Sequence, residues 1–325
     1  MNQPSTSAPL QPVTSFDGPT LEFDFPGLEI GCAEYAEGPT GCTVFHFPQS
    51  VTVATDVRGG LPGVFMAGDG PTEAVCFAGG SLYGLEVCTG VAAEWLARRQ
   101  ASGRAANIFD DIAVVRGAII FDFAHRQNFI YPDYALGRST LQAARPGRFP
   151  LGQRGAGRSA GVGSGLDWQG EEPGGQGGAV RDFGEVKLAV FTVVNAIGAV
   201  VDRGGEVVRG HLDRQSGRRS HLKDDLEATL GPSDSGRPIR ATTLTLVVTN
   251  VKLTPVALTQ LGRQVHSSMA RAIQPFHTGF DGDVLFTATT DTLEMPNPSP
   301  AHLGVLASEL AWDAVLKAVG VESVK

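Results

Sequence analysis

Residues 242–273 read TTLTLVVTNVKLTPVALTQLGRQVHSSMARAI, and the switch of period inside this run decides the fold. The first part, Thr242 to Leu253, is dense in Thr, Leu and Val, side chains that suit a pleated, buried surface, and predicts a strand. Thr254-Pro255 then marks a helix start, because threonine accepts at the N-cap and proline has no N–H to lose at the first helical position. Beyond it Leu258, Leu261, Val265, Met269 and Ile273 recur at three- and four-residue spacing, which gives the helix one apolar face. A strand that hands over to a one-faced helix predicts a sheet covered by helices.

The same logic extends in both directions. Asp283 to Thr290 predicts a further strand. A C-terminal helix opens near Ser299-Pro300 and lines up Leu303, Leu306, Leu310 and Ala314. On the N-terminal side, Arg209 to Arg240 is charged and poor in apolar residues, and reads as a mobile connection with a short helix near Asp224 to Thr229. Glu185 to Val194 is an apolar strand that ends at Asn195. Pro146 to Gly178 is rich in glycine and carries arginines; its GAGRSAG run, residues 155–161, lacks the spacing and the preceding strand of a dinucleotide loop. Leu21 to Asp122 alternates short β runs with Gly, Pro and Asp turns, interrupted by a helix over Thr89 to Arg99. Another helix follows Pro132-Asp133 and covers Tyr134 to Ala144. Sheets with helices outside, an α/β protein, fit this order better than a strictly alternating βαβ chain.

Composition narrows the function. With 42% hydrophobic and 18% charged residues the chain can build a sizeable core. Glycine accounts for 42 of 325 residues, nearly twice the usual share of about 7%, without a collagen period. A formal net charge of −8 and a pI near 5.4 argue against a nucleic-acid partner. The Ser/Pro/Thr-rich residues 1–20 predict a flexible tail rather than a signal peptide, and no apolar run reaches the roughly 20 residues of a membrane span. The expected location is cytoplasmic. Cys32, Cys42, Cys76 and Cys88 lack metal-ligand spacing and read as buried apolar residues.

Individually, the polar residues are modest signals. Asp281-Gly282-Asp283 reads most simply as a β-turn with solvated carboxylates, since the following residues do not continue a calcium-loop pattern. His266, His277, Ser267-Ser268 and Asp281 could be imagined as a hydrolytic triad, yet no nucleophile-elbow pattern accompanies them, and capping or packing roles are the simpler reading. Thr242-Thr243 is ordinary strand chemistry.

Their joint order changes the reading. The run QVHSSMARAIQPFHTGFDGDVLF (264–286) resembles the nylon-oligomer-hydrolysing branch of the L-aminopeptidase/D-esterase and β-peptidyl aminopeptidase family. So do residues 23–27, 37–41, 78–80, 83–86, 131–133, 135–138, 201–203 and 247–260. The resemblance runs from about Leu21 to the C-terminal helix. It implies a four-layer αββα sandwich of the N-terminal-nucleophile hydrolase type, one hydrolase domain over 21–325. It further implies self-cleavage of the Ala241–Thr242 bond into chains 1–241 and 242–325, with Thr242 as the new N-terminus and nucleophile.

A freed α-amine has a reference pKa near 7.7–8.0, so it can serve as base at physiological pH. By matching motif positions, Asp281 and Asp283 correspond to acidic residues that orient the nucleophile, and Asn195 to an asparagine whose amide holds the oxyanion. Three positions depart from the pattern. Ala241 stands where close relatives have asparagine, Gly165 where a lysine is expected (Arg158 being the alternative cation in that loop), and Phe121 where a tyrosine approaches substrate. The implied reaction is hydrolysis of linear amides of ω-amino acids, such as nylon-6 oligomers, by a homo-oligomer without metal or organic cofactor. The alternatives are an aminopeptidase on short or β-amino-acid peptides, and a non-catalytic relative.

Overall fold

The computed structural model describes residues 9–103, 107, 112–124, 126–164, 170–224, 241–294 and 300–321. In chain order the main elements are β1 (Glu29–Tyr35), β2 (Thr40–Val57), β3 (Gly70–Ala78), α1 (Glu86–Ala101), β4 (Val115–Ile119), α2 (Tyr134–Gln142), β5 (Gly175–Phe183), β6 (Val186–Asn195), β7 (Thr242–Val251), α3 (Pro255–Ser268), β8 (Val284–Leu293) and α4 (Pro300–Ala318).

The ladder runs β5-β6-β7-β8-β2-β3-β4, with β1 on the other edge of β2. The β7–β8 and β3–β4 pairs are parallel, each needing a helix as crossover, α3 and α1 respectively. The 18-residue β2 belongs to both halves. Its residues 40–46 pair with β1, its residues 52–57 pair with β8, and β3 pairs with residues 42–46 and again with 51–53 after a register shift between His46 and Val51. The ladder folds back there into two stacked sheets.

Alternation along each strand then splits the apolar side chains into three cores. Between the sheets lie Phe45, Phe47, Phe77, Phe191, Leu246 and Phe286; the Phe191 ring sits 5.3 Å from Phe45 and 5.0 Å from Phe149. Outside β5–β8, Leu188, Val190 and Val247 pack under α3 and α4 through Leu261, Val265 and Leu310. Outside β1–β4, Val44 and Cys76 meet α1 and α2 through Val87, Val91, Leu136 and Leu141. Three cores between four layers are the expected αββα sandwich. Fully burying each such side chain stabilises by about 1.5–3 kcal/mol.

Local signals explain the helix boundaries. Thr254 accepts from Ala257 N at 3.2 Å and Asp133 from Leu136 N at 2.9 Å, the two N-caps read from sequence. Helix α1 begins at Glu86, three residues before its expected start, after a single 3-10 turn over Ser81–Leu85. The four cysteines are free and buried. Residues 155–157 form a 3-10 turn rather than a phosphate loop. Of the expected tail, Val13 exchanges two 2.9 Å backbone hydrogen bonds with Glu34. The connection before β7 is anchored as far as Asp224, with Arg219 in a two-bond ion pair on Glu172; the helix expected over Asp224 to Thr229 falls largely outside the described residues. No described helix is long and apolar enough to cross a membrane.

Strand β5 was hidden in a glycine-rich run, for a steric reason. Helix α4 lies so close that a Cβ on Gly177 would stand 2.1 Å from Ala314 O and 2.4 Å from Ala318 N. Composition therefore read as loop where close backbone packing was the cause. Gly177→Ala is expected to destabilise the protein by roughly 1–3 kcal/mol. A urea midpoint equal to that of the unsubstituted protein would contradict this packing.

Candidate active site

Residues Asn195 and Thr242 face each other across the β6–β7 ladder, the last rung of one strand against the first of the other. Alternation places both on the side of Phe191 and Leu244, facing the other sheet. Both are buried, at 6% and 3% exposure. Asn195 is oriented at each end, Oδ1 accepting from Gly161 N at 3.0 Å and Nδ2 donating to Phe121 O at 3.3 Å. Phe121 thus meets the site through its carbonyl, while its ring packs 5.9 Å from Phe123.

Just before β7, Ala241 bridges in parallel to Asp281. Its N–H donates to Phe280 O at 3.2 Å, and its carbonyl accepts from Gly282 N at 2.9 Å. The Thr242 hydroxyl donates to that same carbonyl at 2.5 Å. The Ala241–Thr242 peptide is therefore held at its oxygen by two donors. Gly282 has no room for a side chain, since a Cβ would meet Leu61 O at 2.4 Å and Thr242 Oγ1 at 3.0 Å.

The two carboxylates are not the solvated turn that their spacing suggested. Asp281 is 1% exposed and Asp283 is fully buried, because Arg58 N and Leu61 N pair with the carbonyls of Asp283 and Asp281 and cover the turn. Asp283 accepts from Thr243 N at 2.7 Å through Oδ1, and from His277 through Oδ2. Asp281 accepts from Thr278 N at 2.9 Å through Oδ2, while its buried Oδ1 has no hydrogen-bond partner among the described residues. Burial, reinforced by the neighbouring Asp283 charge, pushes the Asp281 carboxyl up to about 6.

The imagined triad does not assemble. His266 Nδ1 pairs with Asp56 at 2.8 Å, and Ser267 Oγ accepts from Arg58 at 3.0 Å. Arg158 is committed to Glu34, with Nε 3.1 Å from Oε2. It borders a cavity of about 450 Å³ shared with Asp17, Arg154 and Lys317, whose lining includes none of Thr242, Asn195, Asp281 or Asp283. Gly165 lies outside the described residues. No group of three or more His, Cys, Asp or Glu suited to a metal occurs among the described residues. Sequence reasoning passed over the amide of Gly282 and the contact of His277 with Asp283. The tight Asp-Gly-Asp turn was the available signal for the first, and nothing in spacing marked the second.

The sequence profile of Peptidase family S58 matches residues 23–324. The chain belongs to this family. It is 44% identical over 322 residues to a 6-aminohexanoate-oligomer endohydrolase of Paenarthrobacter ureafaciens, covering 95% of this chain and 88% of that one. It is 30% identical over 309 residues to an uncharacterised aminopeptidase of Mycobacterium leprae, covering 89% and 81%. Among solved structures, L-aminopeptidase D-Ala-esterase/amidase of Ochrobactrum anthropi superposes with a TM-score of 0.64 at 16% identity, covering 96% of this chain and 94% of that one; it is described as a variant of the Ntn hydrolase fold. The fold and the enzyme class, an amide-bond hydrolase, follow.

The raised Asp281 has a thermodynamic consequence. Its folded form binds the proton more tightly than the unfolded chain, so its contribution favours folding at acid pH and is lost as pH rises from about 4 through about 6. Asp281→Asn is expected to raise stability at pH 8 by up to roughly 3 kcal/mol. The gain should vanish by pH 4. Equal destabilisation at both pH values in urea titrations would show that Asp281 is not strained by its charge.

Proposed function

We propose that this S58 enzyme cleaves its own Ala241–Thr242 bond and then hydrolyses linear amides of ω-amino acids, nylon-6 oligomers among them, through an acyl-enzyme on Thr242. The observation that carries this reading is the doubly held Ala241 carbonyl, with the Thr242 hydroxyl on one side and Gly282 N–H on the other.

In maturation, Thr242 Oγ1 forms a bond to the Ala241 carbonyl carbon. The oxyanion stays on the Gly282 N–H, and the C–N bond breaks as the threonine nitrogen takes the proton. Water then splits the resulting ester, leaving the Ala241 carboxylate and a free Thr242 amine. Ala241 contributes only the carbonyl, so alanine in place of asparagine leaves this step intact. Asp281, close to half-protonated near pH 6, is suited to exchange a proton with the reacting groups.

In turnover the Thr242 amine acts as base for its own hydroxyl or through water. Attack on the substrate amide yields the acyl-enzyme and releases an amine, and water releases the acid. Asn195, with its oxygen fixed by Gly161, presents Nδ2 as oxyanion donor. The substrate assignment rests on the 44% identity to the endohydrolase. We further place the protein in the cytoplasm as a homo-oligomer, dimer or tetramer; four reduced buried thiols suit that compartment.

Denatured intact mass is expected to show chains of 241 and 84 residues, and a single chain for Thr242→Ala. Asn195→Ala should lower kcat on 6-aminohexanoate oligomers by about 10²–10³. An uncut wild-type chain would overturn self-cleavage. Turnover of small aminoacyl amides alone would leave an aminopeptidase in place of an oligomer hydrolase.

A further inference from the structure

Resting on the Thr242 reading above, we propose that His277 is a positioning residue for the nucleophile. It fixes the Asp283 carboxylate, which in turn holds the peptide that follows Thr242.

The chain of contacts is short. Asp283 Oδ1 accepts from Thr243 N at 2.7 Å, which sets the peptide plane on the C-terminal side of the nucleophile. Asp283 Oδ2 accepts twice from one residue, from His277 N at 3.2 Å and from His277 Nδ1 at 2.8 Å. A carboxylate with three N–H donors on two segments has one orientation left, and with it the start of β7. Once the Ala241 tether is cut, Thr242 is a chain terminus. The Asp283–Thr243 bond then helps to keep that terminus from fraying.

His277 is shaped for this double contact. Its φ is +58°, a left-handed conformation uncommon outside glycine and more accessible to Asn, Asp and His than to β-branched side chains. The ring is fixed from behind by Phe276, with centroids 3.9 Å apart, and edge-on by His266 at 4.4 Å. His266 is anchored on Asp56 at 2.8 Å, and Asp56 on Arg58 at 2.7 Å. Among the described residues neither histidine Nε2 has a hydrogen-bond partner. The polar work of the His277 ring therefore falls on Nδ1, and Nδ1 faces Asp283. A residue present only to fill space would need neither the left-handed backbone nor the donor.

The two features separate by substitution. His277→Asn retains a donor near the Nδ1 position and tolerates the left-handed backbone. His277→Gly relaxes the backbone and removes the donor, and His277→Ala removes the donor and leaves the strain. Expected for His277→Asn is maturation, followed by intact mass after synthesis, within about threefold of wild type, with kcat likewise preserved. Expected for His277→Gly is a loss of about tenfold or more in maturation rate and in kcat, with little change in KM, although it melts no lower than His277→Ala; one lost charge-assisted hydrogen bond corresponds to a loss of that order. A His277→Gly protein that matures and turns over at the wild-type rate would overturn the proposal, as would a His277→Asn protein no faster than His277→Gly. A wild-type chain that never cuts itself would instead bring down the Thr242 reading, and this proposal with it.

Discussion

The constraint on which the site depends is the seating of one peptide bond at the first rung of a buried central strand. Ala241 pairs in parallel with Asp281, and the ladder continues through Leu244–Val284 to Thr249–Thr289 on one side and Asn195–Thr242 to Leu188–Thr249 on the other. Breaking the backbone at this rung removes no strand from the sheet. Residues 242–251 keep neighbours on both edges, so a newly made terminus would be held by backbone hydrogen bonds rather than released into solvent. The same ladder fixes where the carbonyl of Ala241 points and which amide it meets.

Everything else supports that rung from one of two faces. On the inner side, the aromatic layer around Phe45, Phe77, Phe191 and Phe286 welds the two sheets and leaves Asn195 and Thr242 at its edge. On the helical side, α3 and the turn that follows it bring His277 onto Asp283, with His266 edge-on against the His277 ring and anchored on Asp56. The Asp-Gly-Asp turn is the meeting point. One carboxylate reaches the strand backbone and the glycine amide reaches the carbonyl, while the other carboxylate carries a charge that its surroundings disfavour. A buried carboxylate held this way costs stability whenever it is charged.

Much of this was legible in the sequence. Helices α2 and α3 announce themselves through Asp133 and Thr254 caps, and β6 and β7 through unbroken β-branched and apolar runs, because those signals depend on near neighbours. Strand β5 was not legible, since Gly175 and Gly177 answer to the approach of a helix more than a hundred residues away. The Asp281-Gly282-Asp283 turn was read as solvated on its own merits. Its burial comes from residues 58–61, which no local pattern connects to it. Thr242 illustrates the limit most clearly. As a strand residue it is unremarkable, and only its alignment with a family motif and its place beside the Ala241 carbonyl single it out.

The most direct test of the account is where the acyl group goes during turnover. Mature enzyme mixed with a 6-aminohexanoate oligomer, quenched in acid and mapped by peptide mass, should carry one ester-linked 6-aminohexanoyl group on Thr242, at the first position of the 84-residue chain. An acyl group on any other side chain, or oligomer hydrolysis that survives Thr242→Ala, would contradict the claim that one hydroxyl performs both reactions.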